Sequence, residues 1–157
     1  DRASSREHVS ISISFEEAFS GTEKQISFQG RKRTIKIPAG VDDGSRIRFA
    51  DFFVTINVRP HEIFQRDDDD IYVDVRIPLV VVISGGVIEI PTLNGKKKIR
   101  IKSGVQPGSV IRLSGLGMPR LERRGRGDFY VRIYIDIPSY KDLSSEEKKV
   151  FEKFRKG

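Results

Sequence analysis

"AGVDDGSRIRF" at residues 39–49 is matched by "SGVQPGSVIRL" at 103–113, 64 positions later. The match runs outward in both directions. At this offset Val9 meets Val73, Ile13 meets Ile77 and Phe15 meets Leu79. Ser20-Gly21 meets Ser84-Gly85, Ile26 meets Ile90, and Ile35 and Ile37 meet Ile99 and Ile101. Beyond Phe49 the offset jumps to 77, where "DFFV" at 51–54 meets "DFYV" at 128–131. The second copy therefore holds 13 extra residues within "SGLGMPRLERRGRG". Self-similarity at a fixed period marks repeated structural units. The chain reads as two tandem copies of one small β-domain: 1–65, then 66–138, with a terminal segment at 139–157.

Within each copy the strand signal is period-two alternation. "HVSISISF" puts Val9, Ile11, Ile13 and Phe15 on one face, and "KQISF" does so with Ile26 and Phe28. "RTIKI", "FVTINV", "IYVDVRI" and "FYVRIYIDI" repeat the pattern. Gln29-Gly30, Gly40, Gly44, Asn94-Gly95 and Pro107-Gly108 mark the turns. Asn94-Gly95 between alternating runs predicts a type I′ hairpin turn. Helices are few. Ser14 with Glu17 predicts a capping box, with Gly21 as the stop. Ser144 with Glu147 predicts a second box, opening a helix whose Val150, Phe151 and Phe154 share one stripe. "PLVVVISGG" (78–86) is a poor helix by propensity, although Pro78 suits a first helical position.

Bulk composition narrows the function. The chain has 157 residues, no cysteine and two histidines, His8 and His61. That excludes disulfide scaffolds, cysteine nucleophiles and thiolate metal sites, and it suits a reducing compartment. No carboxylate pair stands out as catalytic, so the reading is a binding module rather than an enzyme, with no cofactor. No apolar run is long enough for a bilayer, and no secretory leader pattern opens the chain. The first residue is Asp1, which reads as an excised or processed fragment. Net charge is +7. Residues 66–138 carry 13 basic and 9 acidic groups, against 10 and 9 in residues 1–65. The runs "RKR", "KKK" and "RLERRGR" keep nucleic-acid binding as an alternative function. "DDDD" (67–70) lacks the spaced ligands of a calcium loop and reads as a charged turn.

The chain resembles the C-terminal client-binding region of the DnaJ-type co-chaperones, the 40-kDa heat-shock family. The residues that carry the resemblance are "SFEEAFSGTEKQI", "IKIPAGVDDGSRIRF", "VRPHEIFQRDDDDIYV", "SGGVIEIPTLNGKKKIRI", "GVQPGSVIRLSGLGMP" and "RGDFYVRIYIDIP". They stand in the family's order and cover almost the whole chain. The resemblance implies a mainly β fold: two tandem β-sandwich-like domains, each with one short helix, and a C-terminal helix that makes a homodimer. It implies a chaperone that holds unfolded polypeptides and delivers them to the 70-kDa heat-shock chaperone, in the cytoplasm, in the stress response. No J-domain motif is present, and "KQISF" runs into "QGRKRTIKI" without a cysteine-rich zinc module, as in the zinc-free subtype. Asp68 stands where the family has a turn glycine. The glycine-rich loop expected after Phe49 does not stand at the Ala50–Asp51 junction: either it is deleted there or the sequence leaves out a flexible segment.

Carried over residue by residue, the resemblance gives a peptide-binding groove lined by Val9, Ile11, Ile26 and Phe28. Phe64 closes one side and Lys24 borders it. An apolar strand face is also what an ordinary core presents. The resemblance further implies that Lys24, Arg31 and Lys32, with Arg33 beside them, bind the acidic tail of the partner chaperone. It assigns dimerisation to Val150, Phe151 and Phe154. Phe28→Asp and Ile26→Asp are expected to abolish client holding while leaving the fold intact.

Overall fold

The computed structural model describes residues 8–49 and 52–156, the side chain of Lys156 excepted. The expected junction at Ala50–Asp51 lies outside the described residues. The elements of the first copy are β1 (His8–Ile13), α1 (Phe15–Ser20), β2 (Thr22–Phe28), β3 (Arg31–Ile37), β4 (Ser45–Arg48) and β5 (Phe53–Val58). A short β6 (Phe64–Asp67) follows. The second copy repeats the order with β7 (Asp70–Pro78), α2 (Leu79–Ser84), β8 (Gly86–Thr92), β9 (Gly95–Ile101), β10 (Val110–Leu113) and β11 (Phe129–Asp136). The terminal helix is α3 (Ser145–Lys153).

The pairing carries the duplication into topology. One sheet has the order β1-β5-β4, and the other β10-β11-β7, extended by β6. In the first, β1 runs parallel to β5, from His8 beside Phe53 to Ile13 beside Val58, and β4 is antiparallel. A parallel pair needs a long crossover; α1 and the β2–β3 hairpin supply it. The fold is mainly β with open sheets and short helices, as the alternation requires. β6 is antiparallel to β7, and among the described residues the other copy has no matching strand. "FQRD" has one apolar residue, too little for a period to register.

By contact, the chain divides into a unit of Asp1–Asp74 with Val110–Arg132 and a unit of Val75–Ser109 with Ile133–Gly157. The duplicated halves at 1–65 and 66–138 partition the same chain differently, because β7 and β11 each contribute residues to both units.

In the first unit the 13-residue insertion has a seat. Met118 is fully buried, and its N–H donates to Asp69 O at 2.8 Å. Gly117 N–H donates to Gly127 O, and Gly127 N–H donates back to Met118 O. The Arg126 guanidinium lies 4.6 Å above the Phe19 ring. The segment covers the Gly40 turn so closely that a Cβ on Gly40 (φ +92) would overlap the Pro119 carbonyl oxygen. Arg66 ties the same turn from the other side, donating to Val41 O at 2.6 Å and Gly40 O at 2.8 Å.

Local signals were mostly obeyed. Ser14 and Glu17 form the capping box of α1, and Gly21 caps its end. Ser144 and Glu147 do the same for α3. Each cap is worth about 1 kcal/mol. Asp68 takes φ +55 in the β6–β7 turn, which Asp tolerates better than most residues. Two expectations are corrected. The type I′ turn is at Gln29-Gly30, where both residues have positive φ between the paired Phe28 and Arg31. At the β8–β9 tip Thr92 pairs with Gly95, so Leu93 and Asn94 make the turn and Gly95 (φ +102) follows it. The connection again has two residues, but neither Leu93 nor Asn94 has positive φ, so it is not type I′. Pro78 is the N-cap of α2, not its first helical residue. The valines of α2 are held helical by tertiary ties: Val82 is buried, Gly104 N–H donates to Val82 O, and Ser103 Oγ donates to Ile83 O. Packing overrides weak propensity.

Candidate functional site

The predicted groove residues fall into three settings. β1 is an edge strand of its sheet, and Val9 and Ile11 on it are half-buried. Ile26 and Phe28 are buried, at 8% and 5% exposure. The Phe28 ring stacks on Phe52 at 4.4 Å, and Phe52 stacks on Phe49 at 5.3 Å. The Arg33 guanidinium lies 5.9 Å above Phe28 and 5.5 Å above Phe52. Phe64, 5% exposed, belongs to another aromatic cluster with Phe15, His61 and Phe129. The two clusters share no ring among the described contacts.

Lys24 is committed. Its Nζ lies 2.7 Å from Glu17 Oε2, which also accepts from Thr22 Oγ1 at 3.0 Å. Glu17 Oε1 accepts from the Ser14 N–H at 3.0 Å. The Lys24 ammonium, and then the Ser14 N–H, hold the Glu17 carboxyl down at about 2 from its ordinary 4.5. Arg31 and Lys32, at the tip of the hairpin, are exposed.

A cavity of about 410 Å³ opens beside Phe64, lined by Phe15, Pro60, His61, Arg59 and Asp42 among others. His61 closes the "PHEIF" turn from within. Its Nδ1 accepts from the N–H groups of Ile63 and Phe64 at 3.1 and 3.3 Å. Its Nε2 lies 2.7 Å from Glu16 Oε1. Nδ1 is thus the acceptor nitrogen, and Nε2 carries the proton toward Glu16. The sequence reading missed Phe15 and His61 here. The spacing of Phe15 identified it only as a strand-face residue, and a lone histidine carries no periodic signal.

In the second unit, a cavity of about 450 Å³ is lined by Pro78, Leu79, Val80, Ile83, Leu143 and Phe151, among others. The predicted stripe on α3 is therefore divided. Phe151 is half-buried and lines this cavity, whereas Val150 and Phe154 are 51% and 74% exposed. Among the described residues no group of three or more His, Asp or Glu could hold a metal. No helix among them is long and apolar enough to cross a membrane.

Fold and surface together define a class: a duplicated, mainly β module with a largely apolar cavity beside α2, a mixed polar and aromatic one beside Phe64, and edge strands. The chain belongs to the DnaJ C terminal domain family, whose signature matches residues 8–138. It is 42% identical over 137 residues to a "Chaperone protein DnaJ" of Halothermothrix orenii, covering 79% of this chain and 36% of that protein. It is 43% identical over 124 residues to a "Chaperone protein DnaJ 2" of Aquifex aeolicus, covering 70% and 33%. The chain spans about a third of the length of the curated relatives it matches. The two-residue turn between β2 and β3, in a chain without cysteine, leaves no thiolate zinc module within that hairpin.

Proposed function

We propose that this chain is the client-holding part of a DnaJ-type co-chaperone, which passes non-native polypeptide to a 70-kDa chaperone in the cytoplasm. Residues 1–65 hold the client, residues 66–138 form the second domain, and residues 139–157 make a homodimer. The observation that carries the reading is an open edge strand with half-buried Val9 and Ile11, in a chain of this family. An extended client adds to a sheet edge through main-chain hydrogen bonds and sinks alternate side chains into apolar recesses.

In this reading Ile26 and Phe28 form the floor beneath that surface, Phe64 closes one side and Lys24 borders it. With Lys24 already paired to Glu17, the acidic-tail contact falls on Arg31 and Lys32. Burial also changes which substitution tests the reading. Phe28→Asp would put a charge into a ring stack and unfold the domain, so a loss of holding would be uninformative. Val9→Ser/Ile11→Ser removes half-exposed apolar surface instead. Wild type is expected to suppress aggregation of a chemically denatured test protein, and the folded double variant is expected to lose most of that activity. Equal suppression by both, with unchanged circular dichroism, rejects the reading.

A further inference from the structure

The β8–β9 hairpin carries a row of cations that the proposed function does not use. Along β9, Ile99 and Ile101 point inward and are buried, while Lys96, Lys98 and Arg100 stand on the opposite face, all exposed. Lys102 continues the row and is exposed as well. Among the described residues none of the four takes part in an ion pair. Across the ladder, Lys98 faces Glu89, Arg100 faces Val87 and Lys96 faces Pro91. Val87 is 55% exposed. The strip thus carries three cations over the paired strands, a fourth just beyond, and one carboxylate.

The equivalent strip on the β2–β3 hairpin differs. Lys32, Thr34 and Lys36 there face Ser27, Gln25 and Glu23. The second copy has Lys98 for Thr34, Val87 for Glu23 and Glu89 for Gln25, a net gain of one positive charge and an added apolar contact. Among the described residues no further strand pairs with the outer edges of this two-stranded sheet. β9 therefore offers a ladder edge and a cation at every second residue.

We propose that this strip docks an extended acidic peptide segment, one with carboxylates at alternate positions. Residues i and i+2 of any strand lie about 6.6–6.8 Å apart. A strand added along β9 would hold its alternate side chains at the spacing of Lys96, Lys98, Arg100 and Lys102. Main-chain hydrogen bonds supply the register, and carboxylate–cation pairs supply the selection. Exposed Val87 takes an apolar side chain of the same segment. A nucleic acid fits less well. Neither strand carries an aromatic side chain on which a base could stack.

The test is fluorescence anisotropy of a labelled short peptide with glutamate at every second position, titrated with the full chain. Binding is expected at low salt and is expected to weaken as salt rises. Lys96→Gln/Lys98→Gln/Arg100→Gln together should weaken it about tenfold, from three exposed charge pairs of about 0.5 kcal/mol each. Arg123→Gln/Arg124→Gln, exposed cations away from the strip, should leave it unchanged, and an isomeric peptide with its glutamates in one block should bind several-fold more weakly. These residues are exposed, so the variants fold. Three results overturn the proposal: unchanged binding by the triple variant, dependence on Arg123 and Arg124 instead, or tighter binding of single-stranded oligothymidylate to the same residues. Each leaves the aggregation assay untouched, so this inference and the client-holding reading fail separately.

Discussion

Gly40 and Gly104 occupy equivalent positions in the two copies, and replacing each by alanine separates two effects. Both have positive φ, +92 and +81. Alanine in such a conformation costs about 1–2 kcal/mol, and this term should be similar at the two sites. The surroundings differ. An added Cβ at Gly104 meets nothing within 4 Å. At Gly40 it overlaps the Pro119 carbonyl oxygen and lies 3.2 Å from Leu121 N. These are backbone atoms of the insertion, and no side-chain rotation relieves the overlap. Forcing atoms into a packed site costs about 1–3 kcal/mol more. Gly40→Ala should therefore destabilise by about 2–5 kcal/mol and Gly104→Ala by about 1–2 kcal/mol. Urea unfolding of both variants, followed by circular dichroism with slopes compared, measures the difference. Equal losses would mean that the insertion does not sit on the Gly40 turn, and the account of the first unit would fall.

Glu17→Gln tests the acid limb. The Glu17 carboxyl is depressed in the folded state, so its stabilisation is present above about pH 4.5 and is lost as pH falls toward about 2. The wild-type urea midpoint should fall over that window, and the variant should lack this part of the slope; matching slopes would remove Glu17 as the cause. Phe28→Ala should cost about 3–5 kcal/mol, since a buried ring is deleted. A loss under about 1 kcal/mol would show that the stack on Phe52 is not formed. Val150→Ala/Phe154→Ala should shift sedimentation from dimer to monomer with little change in unfolding, because both side chains are exposed. Phe151→Ala, half-buried, should cost about 2 kcal/mol. A wild-type chain that sediments as a monomer at high concentration would end the dimer reading.

Part of the candidate surface was legible because alternation says which residues share a face. Val9 and Ile11 do, and so do Ile26 and Phe28. Alternation does not say what the face meets. An apolar face against a core and one against a client have the same pattern, and only the position of Phe52 and Phe49 showed that Phe28 is packed. The commitment of Lys24 was hidden for the same reason. Nothing in "EKQIS" announces that Lys24 will reach back to Glu17, although both flank a turn that the capping box and Gly21 had already located. Alternation likewise does not show that the Phe64 ring meets Phe15, His61 and Phe129.

The sequence by itself determined the repeat, the order of elements within each copy, the two capping boxes and the family. These depend on spacings of two, three and four residues, or on a match of the chain to itself, and such relations survive without coordinates. The tertiary structure decided where the 13 extra residues go, which hairpin tip takes the type I′ turn, that six residues of Leu79–Ser84 become a helix, and which apolar residues remain half-exposed. Those outcomes turn on contacts between residues far apart in the chain, such as Pro119 over Gly40 and Asp69 against Met118. Their energies come from close packing and desolvation, and neither leaves a local period to read.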